Sequence, residues 1–182
     1  MHKATIPVRA TRHGQLAVLL LALACSPASA AVGHWVTVWG CAPQLTEPGN
    51  LPPAPLANAT LRQFVHTSAG GKFIRVRFSN AYGTNSVSLN AARVALSAGL
   101  GSAGNGNIQP ATDKPLTFRG APAIVIPRGE VVWSDPLAFE LPALTNVAIS
   151  TYFGGISATT INGHPGSRTT SFIQSGDALS AA

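Results

Sequence analysis

The sequence is poor in charge, in cysteine and in long apolar runs, and each shortage removes a class of function. Of 182 residues only 6 are acidic and 12 basic. The acids, Glu47, Asp113, Glu130, Asp135, Glu140 and Asp177, never stand closer than five positions. Local sequence therefore offers no carboxylate pair for glycosidic cleavage, which needs two carboxyls roughly 5–10 Å apart about the bond. Beyond residue 30 only Arg75 and Arg77 are close together, with no basic run, finger or recognition-helix pattern, which argues against a nucleic-acid partner. Neither Cys-X-X-Cys nor His-X-X-X-His occurs, so no metal spacing is present and no cofactor is implied.

The longest apolar run lies at the start. Lys3, Arg9 and Arg12 precede "LAVLLLALAC" (16–25), which is too short to span a bilayer, and Ala28-Ser29-Ala30 supplies small residues for a peptidase. This reads as a signal peptide over 1–30, cleaved after Ala30, for a protein secreted to the periplasm or the exterior with no membrane attachment afterwards. A lipoprotein anchored through Cys25 is disfavoured, because Ala22-Leu23-Ala24 is a poor recognition sequence. Cleavage leaves nine basic and six acidic residues, a charge of +3, and Cys41 as the only cysteine. An exported chain of this kind makes no internal disulfide, and either stands on its apolar core or pairs Cys41 with something outside the chain. Residues 31–182 suit one domain, burying about 68–70% of its unfolded surface.

Alternation and turn residues dominate over helical spacing. In "KFIRVRFSN" (72–80) Ile74, Val76 and Phe78 point one way and Phe73, Arg75, Arg77 and Ser79 the other. "TLRQFVHTS" (60–68) precedes it across Ala69-Gly70-Gly71, which predicts an antiparallel hairpin. Further strands are expected in "HWVTVWG" (34–40), "SVSLNAARVAL" (86–96), "PLTFRG" (115–120), "AIVIP" (123–127), "VVWSDPLAFEL" (131–141), "NVAISTYF" (146–153) and "RTTSFIQ" (168–174). Asp135-Pro136 should bend its run, since proline cannot donate to a ladder. Residues 47–58 and 98–107 read as loops. Eight or nine short strands without an amphipathic helix predict an all-β, antiparallel sandwich of jelly-roll or Greek-key type.

Nucleophilic catalysis requires a Ser or Cys beside a base that a third group orients. The bases of the mature chain are His34, His66 and His164 and the most suitable acid is Asp135, but no serine occupies a Gly-X-Ser-X-Gly elbow or a strand-to-helix turn. No catalytic residue is assigned. Asp135 reads as a turn cap, His66 as a strand residue facing solvent or a partner domain, and His164 as a turn residue. Trp35, Trp39 and Trp133 can pack in a core, form a platform for sugar or meet another domain. Were the two hairpin strands to pair, Arg62, His66, Arg75 and Arg77 could share one sheet face suited to docking a domain or an anionic ligand. The candidate ligand or interdomain contacts are thus Arg62, His66, Arg75, Arg77, Trp39 and Trp133.

"WVTVWGCAPQ" (35–44), "TLRQFVHTSAGGKFIRVRFSNAYGT" (60–84), "VVWSDPLAFEL" (131–141) and "VAISTYF" (147–153) together resemble the N-terminal β-domain of two-domain secreted hydrolases of the SGNH, or GDSL, esterase/lipase-like superfamily. Leu-Arg-Gln, Thr-Ser, Gly-Gly, Arg-Val-Arg, Ser-Asn and Tyr-Gly at this spacing carry the resemblance, which runs from about Trp35 to Asp177. It implies a non-catalytic accessory sandwich joined by a linker to an α/β domain bearing a serine nucleophile, with the sequence cut off before that domain. Gly176-Asp177-Ala178 would then be a turn in a linker-like tail (about 175–182) and not a damaged Gly-Asp-Ser block. The alternative is a free-standing carbohydrate-binding module, with carbohydrate as its partner.

Overall fold

A computed structural model describes residues 33–99, 105–156 and 160–180. The signal segment 1–30 and part of the loop at 98–107 lie outside them. The chain divides into two units, Met1–Val36 and Thr37–Ala182. In the first, residues 33–36 have no regular secondary structure and Trp35 is half exposed. All that follows concerns the second.

Twelve strands are present among the described residues: β1 (Gln44–Leu45), β2 (Ala59–Thr67), β3 (Gly71–Ile74), β4 (Arg77–Ser79), β5 (Val87–Leu96), β6 (Lys114–Pro115), β7 (Ile124–Ile126), β8 (Val131–Trp133), β9 (Leu137–Leu141), β10 (Thr145–Phe153), β11 (Asn162–Gly163) and β12 (Ser171–Ser175). Every pairing is antiparallel, and the architecture is an all-β sandwich. One layer is a six-stranded sheet of order β12-β2-β10-β5-β6, with β7 also on β5; the other contains the pairs β3-β9 and β4-β8.

The strands outnumber the expected eight or nine because the short pair β1–β11 is added and two long runs, 72–80 and 131–141, are each broken in two where a ladder bond is missing. Pro136 has no N–H to give, and the chain is irregular on both sides of the pair at that level. There the Val76 N–H donates to Ser134 Oγ (2.9 Å) and Val76 O accepts from the Ser134 N–H (2.8 Å), so a serine hydroxyl closes the gap between the two short ladders.

Between the layers lies the main core. Val87, Leu89, Ala92, Val94 and Val147 from the large sheet meet Leu116, Phe118, Phe139 and Leu141, with Ile74, Val76 and Phe78 packed against them. The alternation read in 72–80 therefore holds for its inward face. Phe78 contacts Phe118 edge-on, with ring centroids 5.7 Å apart.

Two expected features are absent. Residues 34–40 form no strand; the segment is tethered where Val38 O accepts from the Ser68 N–H (2.9 Å) and Oγ–H (3.0 Å). The hairpin across Gly70-Gly71 also fails, because β2 pairs with β10 and β12 while β3 pairs with β9. Neither glycine has positive φ. A Cβ on Gly70 would lie 2.5 Å from Leu141 O and 3.0 Å from Ala143 N, so this glycine permits a close backbone crossing between layers rather than a tight turn.

The large sheet is covered on its other face too. Phe64, Ala95, Ile108 and Ala148 form a second cluster with Phe172, beneath the strands' outer side. Gly176, at φ 77°, turns the chain back over this face: its N–H donates to Asn58 O (2.8 Å), its carbonyl accepts from Thr60 Oγ1 (2.8 Å), and Leu179 is buried. Gly176 and Leu179, within the expected linker-like tail, are thus held against the sheet.

Candidate functional site

The outward face of the smaller layer carries the most distinctive exposed group. In the β4–β8 ladder Arg77 stands opposite Trp133, Phe78 opposite Val132 and Ser79 opposite Val131. Alternation that sends Phe78 and Val132 into the core sends Arg77 and Trp133 out, with Arg75 on the same side. The Arg75 guanidinium carbon lies 4.5 Å from the Trp133 ring centroid and that of Arg77 5.6 Å. Each such contact contributes about 0.5–1 kcal/mol at an exposed site. The indole nevertheless remains 47% exposed, and Phe73 and Val131, of the same outward parity, are exposed at 59% and 42%. The result is an apolar patch with two oriented positive charges, suited to an acidic, partly apolar protein surface.

Arg62 does not belong to this face, contrary to the expected grouping, and the cause is the pairing of β2. Its partners are Ser150 on β10 and Phe172 on β12. The side chain lies under the layer that covers the large sheet, 7% exposed. Nε–H donates to Ser150 Oγ (2.8 Å), Nη1–H to Gly106 O (2.8 Å) and Nη2–H to Leu179 O (3.0 Å). Burial pushes the guanidinium's pKa down, and the charge of Asp113 pulls it partly back. That carboxylate is itself bonded to Arg93 Nε at 2.8 Å. Desolvating a cation costs several kcal/mol; three hydrogen bonds from a charged donor, at about 1.5–3 kcal/mol each, offset it. Arg62 is a clamp joining the sheet to the loop at 106 and the segment at 179.

His66 and Trp39 lie apart from both places. His66 is exposed near the end of β2, its Nδ1 2.8 Å from Asn146 Oδ1, and Trp39 is 45% exposed across a groove from it. The structure thus divides the six candidates into three sets: Arg75, Arg77 and Trp133; Trp39 and His66; and Arg62 alone.

Other residues suggestive of chemistry hold the fold. Asp135 accepts from Thr117 Oγ1 (2.7 Å) and from the N–H groups of Arg119 (2.9 Å) and Gly120 (2.8 Å). These bonds, led by that from Gly120, hold its carboxyl below the usual carboxylate range. Arg119 (φ 54°) and Gly120 (φ 82°) form the tight turn that it caps. The Ser-Asn and Tyr-Gly pairs of 79–83 are likewise structural. Asn80 Nδ2 donates to the carbonyls of Asn85 (2.9 Å), Ile126 (3.2 Å) and Pro127 (3.0 Å). The Tyr82 N–H donates to Asn162 Oδ1 (2.7 Å), and a Cβ on Gly83 would collide with the Asn80 side chain. Sequence reading put Phe73 on the outward face without naming it a contact residue, and missed Asn146 as the partner of His66; only cross-strand register, which places Asn146 opposite His66, reveals the latter.

Among the described residues no cluster of three or more His, Cys, Asp or Glu could hold a metal ion, and no helix is long and apolar enough to cross a membrane. No family model matches the chain, and no curated protein matches it.

Proposed function

We propose that this chain is a secreted accessory β-sandwich of an SGNH-type ester hydrolase, and that it docks the hydrolase domain through Arg75, Arg77 and Trp133. The observation that carries the docking role is the half-exposed Trp133 beneath two guanidinium groups, flanked by exposed Phe73 and Val131. Aromatic and arginine side chains grouped in this way are the residue types that anchor interfaces. The hydrolase assignment rests on the sequence resemblance. An accessory role is supported by how the acid–base groups are engaged: Asp135 caps a turn, His66 meets an amide and His164 Nδ1 lies 3.3 Å from Ala42 O. None of these contacts orients a base beside a nucleophile.

Mixing the chain with an SGNH-type hydrolase domain tests the reading. Wild-type chain should bind, Trp133→Ala and Arg75→Ala/Arg77→Ala should each weaken binding at least tenfold, and the chain alone should leave p-nitrophenyl acetate unhydrolysed above a buffer blank. Equal binding by wild type and face variants contradicts the docking surface. Turnover that survives repurification and vanishes on mutating one serine contradicts the accessory role.

A further inference from the structure

A groove of about 570 Å³ lies between residues 39–41, the paired ends of β2 and β10, and residues 164–169. Its volume falls in the range of small-molecule sites, about 300–1,000 Å³. On one side is Trp39, whose half-exposed indole offers a flat apolar surface with a polar edge. Around it stand His66, Asn146, His164 and Arg168, with no Asp or Glu among the lining residues. The groove is therefore polarised towards anions.

The histidines are held in orientation. A carbonyl can only accept, so His164 Nδ1–H donates to Ala42 O (3.3 Å), and in the neutral ring Nε2 is left as an acceptor for a hydroxyl. His66 is fixed in the same way by Asn146 Oδ1 at Nδ1 (2.8 Å). The backbone supplies an independent sign. Only four non-glycine residues among those described have positive φ, and two of them, Leu144 (φ 52°) and Arg168 (φ 53°), line this one groove. The left-handed region is unfavourable for such side chains, by roughly 1–3 kcal/mol each, and residues held there cluster at ligand clamps.

We infer that this groove binds a carboxylated saccharide. One sugar ring lies on Trp39, its carboxylate meets the Arg168 guanidinium as a two-pronged pair, and its hydroxyls reach His66, His164 and Asn146. The site is separate from the Arg75–Trp133–Arg77 face and does not rest on the hydrolase reading.

Tryptophan fluorescence and calorimetry with trigalacturonate, against maltotriose as the neutral probe, test it. Wild type should bind the acidic trisaccharide at least tenfold more tightly than the neutral one, and less tightly as salt is raised. Trp39→Ala should lower affinity for trigalacturonate at least tenfold, while Trp39→Phe, which keeps an aromatic face, should retain most of it. Arg168→Ala should abolish the preference for the acid. Trp133→Ala should change nothing. Failure of wild type to bind trigalacturonate at millimolar concentration, equal affinity for both sugars, or binding unaffected by Trp39→Ala would each overturn the inference.

Discussion

Arg62 and Arg77 both stand beside apolar residues within a β-run, yet one is an interior clamp and the other a surface anchor. The difference lies in what covers the strand. β2 is inside the six-stranded sheet, its one face packed against the sandwich core and its other roofed by residues 105–109 and 176–180. β4 has the core on one side only, and the arginines on its outer side rest on Trp133. Alternation states which side chains share a face; it does not state whether that face is roofed.

The strongest way to break this comparison is to remove both arginines in turn. Arg62→Ala leaves Gly106 O, Leu179 O and Ser150 Oγ without their donor beneath a covering layer, and a buried unsatisfied group costs about 1–3 kcal/mol. We expect a loss of about 3 kcal/mol in urea denaturation. Arg77→Ala, on the exposed side, should cost about 0.5 kcal/mol, the low end for an exposed cation–π contact. Equal losses would mean the two sites are not distinct.

Phe78 sharpens the contrast within β4 itself. Phe78→Ala removes a ring packed on Phe118 and the core, and the partial exposure of Phe78 sets the loss near the lower end of the usual 3–5 kcal/mol for Phe→Ala. A denaturation midpoint no lower than that of Arg77→Ala would reverse the strand's faces.

Asp135 marks the corner of the smaller layer, and its effect depends on pH. Its folded-state pKa is held below the unfolded value of about 3.9, so its contribution is present above that pH and is lost as pH falls through the folded value. Asp135→Asn should therefore unfold at a lower temperature than wild type at pH 7, with the gap closing below about pH 4. A gap that persists unchanged at pH 2 would assign the effect to something other than the carboxylate's charge. Arg75→Ala, which likewise loses one exposed cation–π contact, should change stability as little as Arg77→Ala, by about 0.5 kcal/mol.

Much of this was legible in the residues. The β-class, the runs at 60–68, 86–96 and 146–153, the bend at Asp135-Pro136 and the inward set Ile74, Val76 and Phe78 all follow from alternation and from proline's missing donor. What was not legible is long-range. Gly70-Gly71 has the composition of a hairpin turn but serves a close crossing between layers, because the partners of β2 lie some 85 and 110 residues further on, at β10 and β12. The placing of Arg62 follows from that register, as does the meeting of His66 with Asn146. The association of Arg75, Arg77 and Trp133 depended on β4 pairing with β8, which separate motifs in sequence cannot announce.

Hydrogen exchange on the chain alone and on the chain with an SGNH-type hydrolase domain tests the two-region account most directly. The account predicts that 60–67 is already protected in the chain alone and unchanged by the second domain, whereas 73–79 and 131–135 gain protection when it is added. Rapid exchange of 60–67 in the isolated chain, or new protection confined to any face other than that of Arg75, Arg77 and Trp133, would contradict it.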